Sequence, residues 1–185
     1  MPKEKQFDRA AVLTQAMELF WKQGFEATSM QDLVDATGIN RASMYAPFGD
    51  KHAFFLAAVD HYIATVSSRR LERLQQTGSP RSALADFFDD LIAFSCGDGR
   101  RLGCLLTNAA VEMAPRNADI DERLNITFLR LEDAFYDNLL RAQQAGEVAN
   151  GRDLRAAARL LTGTVQGNRV LARADSDDGT LRDIA

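Results

Sequence analysis

The chain has 185 residues, 46% of them hydrophobic and 26% charged, enough apolar material for one core or two small ones. Its formal net charge of −4 argues against indiscriminate nucleic-acid binding, which needs cations to offset phosphate. The start, MPKEKQFDR, has no apolar stretch, and runs such as 53–59 fall short of the ~20 residues that cross a bilayer, so a cytoplasmic chain without a membrane partner is expected.

In chain order, Val12, Leu13, Ala16, Leu19 and Phe20 form one apolar stripe, predicting a first helix from Phe7 to Gln23. Gly24 ends it, and Phe25 is placed to fold back on the stripe. Ser29 is then a helix cap with Asp32 as its acidic partner three residues on, and Leu33, Val34 and Ala36 form an inner face. Gly38 supplies a sharp turn. Asn40 caps a second short helix, Arg41 to Tyr45, which Pro47 and Gly49 are expected to break. Asp50 caps a long helix, Lys51 to Gln76, and the stretch 77–80 is a second break.

The later texture is different. Arg81 to Ser95 is rich in aromatics. Cys96 to Arg101 reads as a loop, and Leu102 to Met113 as a helix of small residues ended by Pro115. Ile120 to Ala145 and Asp153 to Ala174 are predicted as long helices, and Thr180 to Ala185 as the opening of a last one. Four prolines among long proline-free stretches favour an all-α fold. Its two parts are a three-helix DNA-binding domain over 1–50 and a larger helical ligand-binding and dimerisation domain over 51–185.

Helix, cap, glycine turn, cap and short polar helix make the outline of a helix-turn-helix, which lays its second helix in the major groove. Thr28, Ser29, Asn40, Arg41, Ala42, Ser43, Tyr45 and Lys51 are the candidate DNA contacts. Arginine bridges guanine O6 and N7, and alanine or serine meets a thymine methyl or a base edge. Tyr45, Lys51 and the helix N-termini at Ser29 and Asp50 suit phosphate. From Met1 to Lys51 there are six basic and seven acidic residues, so affinity must come from placement rather than bulk charge.

The segment FEATSMQDLVDATGINRASMYAPFGDKHAFFLAAV resembles the DNA-binding domain of TetR-family transcriptional regulators. That resemblance implies an all-helical homodimer. It would bind a pseudo-palindromic, double-stranded operator and release it when a small-molecule effector enters the second domain. Pro47 departs from the histidine or other polar residue that many relatives carry there. The stretch RLGCLLTNAAVEMAP is similar to a subset of the family that includes regulators responding to electrophiles or oxidants through the cysteine.

Cys104 therefore has two readings. It is a sensor thiol at a helix start, with its pKa lowered by Arg100 and Arg101, or it is a small buried hydrophobe. Cys96, in the glycine loop, is a possible resolving partner. The two cysteines are the only ones in the chain, and a reducing compartment rather than a disulfide scaffold is expected. Phe88, Met113 and Phe128 are candidates for an apolar effector site, with Thr107 and Asn108 as its orienting polar groups.

Gly163 and Gly167, four residues apart, fall on one helix face. With Leu160, Leu161, Val165 and Val170 they are the candidate dimer contacts, and a four-helix interface is what the resemblance implies. A helical enzyme or redox protein is the rival class. His52 and His61 are nine residues apart and point to opposite sides of one helix, and no phosphate loop or nucleophile–base pair is evident. A helical protein-interaction module that binds no DNA is the other rival. No cofactor is expected.

Overall fold

In a computed structural model that describes residues 7–75 and 78–185, the chain divides into two compact units, 1–65 and 66–185. The described residues form ten α-helices and no strand. In the first unit these are α1 (Arg9–Gln23), α2 (Met30–Thr37), α3 (Arg41–Phe48) and α4 (Lys51–Tyr62). The unit runs past residue 50, where the sequence suggested a boundary, because α4 supplies a third of its core. Phe54, Phe55, Ala58, Val59 and Tyr62 are buried, as are Val12, Ala16, Met17, Phe20 and Trp21 of α1.

Edge-to-face rings lock α1 to α4. The Phe20 and Phe55 centroids lie 4.9 Å apart and those of Trp21 and Tyr62 5.0 Å apart, separations at which aromatic pairs add to simple burial. Phe25 does fold back on the α1 stripe, its ring 6.4 Å from that of Phe20, and also lies 5.1 Å from that of Phe55. Thr14 Oγ1 and His61 Nε2, 2.9 Å apart, add a polar tie between the same helices.

Two helix limits differ from the sequence reading. Pro47 lies inside α3, which continues to Phe48. In the last turn of a helix the missing N–H withdraws one bond, here to the Ser43 carbonyl, and Phe48 is held by stacking on Phe54 at 4.3 Å. The predicted helix from Lys51 is interrupted: α4 gives way to a π-helical turn, Ile63–Ser67, before α5 (Ser68–Leu74). Its predicted end at Gln76, and Thr77 of the following break, lie outside the described residues.

The second unit comprises α5, α6 (Pro80–Cys96), α7 (Leu105–Glu112), α8 (Ala118–Gln144), α9 (Leu154–Arg173) and α10 (Asp178–Asp183), with a 3-10 turn, Ala114–Arg116, after α7. Its core joins Leu74, Phe87, Phe88, Leu91, Phe135, Leu139, Leu154, Ala158 and Val165. Helix ends are tied by side chains distant in sequence. Glu147 accepts from the Ser79 hydroxyl (2.7 Å) and the Arg81 backbone N–H (2.9 Å), closing the N-terminus of α6. Asn138 Nδ2 donates to the Leu74 carbonyl (3.2 Å), as does Arg141, closing the C-terminus of α5.

Candidate nucleic-acid interface and effector-domain residues

The α2–α3 pair is defined by its caps. The Ser29 hydroxyl accepts from the Asp32 backbone N–H, and Asp32 accepts from the Ser29 backbone N–H at 2.8 Å, a reciprocal capping box. The Ser29 hydroxyl also donates to Asp32 Oδ2 at 2.7 Å, and this bond, then the one from the Ser29 backbone N–H, holds the Asp32 carboxyl below the usual carboxylate range. Gly38 takes the left-handed conformation, φ +66, which ends α2 at little steric cost. Asn40 then accepts from the Ser43 backbone N–H at 2.9 Å and opens α3. Met30, Leu33, Ile39, Met44 and Phe48 face inward.

That packing leaves Arg41, Ala42, Ser43, Tyr45 and Ala46 exposed on α3. Among the described residues, no hydrogen bond, ion pair or ring contact holds the Arg41 side chain. Tyr45 as a whole is 45% exposed. Ala46 was not singled out from the sequence; the signal was its place four residues after Ala42, masked by the expectation that Pro47 ends the helix early. On α2, Gln31 is held by Asp35 at 2.9 Å.

Two residues offered as DNA contacts are engaged elsewhere. Thr28 is fully buried, and its hydroxyl donates to the Gly24 carbonyl at 2.6 Å. It shapes the entry to α2 and presents no side chain to a duplex. Lys51 Nζ donates to the Phe25 carbonyl at 3.0 Å and lies 4.2 Å from the centroid of the Phe25 ring. A second cation, Arg9, lies 5.1 Å from the Phe48 centroid. The first unit thus commits Lys51 to its own fold and offers Arg41 outward.

In the second unit the predicted effector residues lie apart in role. Cys104 is buried and occupies the N-cap position of α7, with no side-chain capping bond. The helix begins later than predicted because Gly103 adopts φ +67. A Cβ there would stand 3.0 Å from the Arg169 carbonyl, so glycine lets the chain pass close to α9 where a side chain would crowd it. Arg100 and Arg101 are paired away from it: Arg100 with Asp175 (3.1 Å) and Asp178 (3.0 Å), and Arg101 with Asp175. Those bonds, Arg101 first, lower the Asp175 carboxyl to about 2. Cys96 is half-buried, and burial, then Asp178, push its thiol up.

Thr107 is buried and donates to Gln166, while Asn108 Nδ2 donates to the Leu102 carbonyl at 3.0 Å. Asn108 thus shapes the turn before α7. Phe88 and Met113 are buried and Phe128 half-buried. Phe88 stacks near Phe135, 6.1 Å between centroids, as part of the core cluster.

On α9 the candidate dimer residues divide. Leu160 is 71% and Val170 50% exposed. Gly163 and Gly167 are exposed too, with open space where a Cβ would stand. Val165 is buried in the core and Leu161 packs against it, so Val165 faces away from any partner helix. Ile126 and Leu129 of α8 are exposed apolar residues of the same kind.

The model "Bacterial regulatory proteins, tetR family" matches residues 12–58, and "Tetracyclin repressor-like, C-terminal domain" matches residues 80–185. The chain is 36% identical over 185 residues to the uncharacterised HTH-type transcriptional regulator YezE of Bacillus subtilis, covering 99% of this chain and 95% of that one. It is 34% identical over 182 residues to the HTH-type transcriptional repressor ComR of Escherichia coli, covering 98% and 87%. Among solved structures, a cysteine mutant of the TetR family transcriptional regulator CifR, complexed with 26-bp double-strand operator DNA, superposes with a TM-score of 0.87. It is 26% identical, covering 98% of this chain and 95% of that one.

The family models over both parts of the chain, with regulators of this kind among its relatives, make this all-helical protein a helix-turn-helix transcriptional regulator rather than an enzyme. The chain belongs to the TetR family of bacterial regulatory proteins, and DNA binding and transcription regulation come with that membership.

Proposed function

We propose that the protein is a homodimeric repressor that reads a pseudo-palindromic operator through α3 and leaves it when a small molecule binds the second unit. The observation that carries the DNA half is the exposed face of α3, with Arg41 outward at its capped start. The dimer half is supported by α9, where Leu160, Gly163, Gly167 and Val170 form an exposed apolar and small-residue face beside Ile126 and Leu129 of α8. Two recognition helices must be held about one DNA turn (~34 Å) apart to read two half-sites, which a single chain cannot do.

The effector must bind the two states of the dimer unequally, by ~1–3 kcal/mol for ordinary coupling and ~5.5 kcal/mol for a complete switch. A footprint on DNA flanking the chain's own gene, followed by a metabolite screen for release, tests this reading. Protection of a symmetric site that a small molecule abolishes is the expected result; no protected site overturns it.

A thiol-reactive effector is the second form, carried by Cys104 at the start of α7. Alkylation should then lower DNA affinity, and Cys104→Ser should abolish the response. A response that persists in Cys104→Ser removes the thiol form and leaves the first.

A further inference from the structure

The exposed face of α3 holds more methyl than charge. Arg41 is the one basic side chain on α2 and α3, and Gln31, the amide nearest to it in type, is tied to Asp35. What remains outward beside Arg41, Ser43 and Tyr45 is a pair of alanines, Ala42 and Ala46, both exposed. Four residues apart, they stand on one helix face with Cβ atoms about 5–6 Å from each other. An alanine methyl forms no hydrogen bond with a base edge. The major-groove group from which it gains is the C5-methyl of thymine, since cytosine presents only C5–H at that place.

We infer that Ala42 and Ala46 are specificity-determining residues that read two thymine methyl groups in each half-site, beside a guanine read by Arg41. Pro47 supports the register. It sits one residue beyond Ala46 and leaves α3 helical to Phe48, which stacks on Phe54. Ala46 is thereby held on the same helix as Ala42 rather than in a loop. The short side chains also let the α3 backbone approach the bases closely.

The inference rests on the assignment of α3 as the DNA-reading helix, and the test separates the two. Duplexes that bind the full-length protein are first enriched from a random-sequence library. In the enriched half-site each thymidine is then replaced singly by deoxyuridine, which removes the methyl and keeps the base pair. Wild-type protein should lose about fourfold in affinity at two positions, the size of one methyl group withdrawn from water. Ala42→Gly should no longer distinguish thymine from uracil at one of them, and Ala46→Gly at the other. Because thymine and uracil are compared within each variant, any weakening of the helix by glycine cancels. Equal binding of all uracil duplexes by the wild type overturns the inference, as does an undiminished loss in either glycine variant. If no sequence is enriched, the assignment of α3 falls, and the methyl reading with it.

Discussion

Lys51 donates its ammonium to the Phe25 carbonyl at 3.0 Å while lying 4.2 Å from the centroid of the Phe25 ring. One side chain from the start of α4 thus closes the loop between α1 and α2. The bond crosses 26 residues of sequence and holds in place the loop from which Ser29 caps α2. Lys51→Ala should therefore act on folding. We expect a loss of about 1–2 kcal/mol of stability, from a charge-assisted hydrogen bond and a partly shielded cation–π contact. Denaturant unfolding measures the loss. The slope of log affinity against log salt should stay unchanged, since a phosphate contact would lower it by about 1.

Arg41 makes the opposite prediction. No interaction among the described residues engages its side chain. Arg41→Ala should leave unfolding within about 0.5 kcal/mol of wild type, as surface substitutions do. It should weaken operator binding by about 1–3 kcal/mol and relax preference at one base pair. Competition binding with single-base operator variants reads this out. An unchanged preference would remove Arg41 from the base-reading set.

The two kinds of residue on α9 should separate dimerisation from folding. Leu160→Glu places a charge on the exposed face and should yield a folded monomer, detected by sedimentation velocity. Val165→Ala removes core volume among Phe87, Phe135 and Leu154. It should cost about 2 kcal/mol in stability and leave the oligomeric state unchanged at concentrations where the chain is folded.

Acid should loosen the second unit through Glu147. Its carboxyl is held below the usual range by the Ser79 hydroxyl and then by the Arg81 backbone N–H. A depressed folded pKa contributes stability that is fully present above the unfolded value, about 4.3 for glutamate. That contribution is lost as pH falls through the folded value. Asp175, lowered to about 2 by Arg101 and Arg100, behaves alike at lower pH. Glu147→Gln should destabilise the protein at pH 7. The gap to wild type should close as the pH drops below about 4, and thermal unfolding across pH 2 to 7 would show it. A gap that stays constant with pH would remove the carboxylate as its cause.

The elements legible from sequence were those written in short-range chemistry. Ser29 with Asp32, Gly38, Asn40 and Asp50 each act within four residues, and each cap or turn stands where the residue type demands. The all-α class and the helix-turn-helix outline follow from such local signals, because a cap needs only its own helix. Proline was the exception. Pro47 read as a terminator, yet α3 continues past it to Phe48, whose ring stacks on that of Phe54.

The direction in which each side chain faces was decided by tertiary structure. Thr28, Lys51 and Val165 all had the right type and position for contact with a partner. Thr28 is buried against Gly24, Lys51 closes on Phe25, and Val165 enters the core with Phe87 and Phe135. Arg100 and Arg101, adjacent to Cys104 in sequence, turn to Asp175, more than seventy residues away. A helical period says which residues share a face; only the packing of the other helices says whether that face meets protein, solvent or DNA. The sequence determined that this chain carries a DNA-reading helix pair, and the packing determined that Arg41, Ala42, Ser43, Tyr45 and Ala46 are the residues it presents.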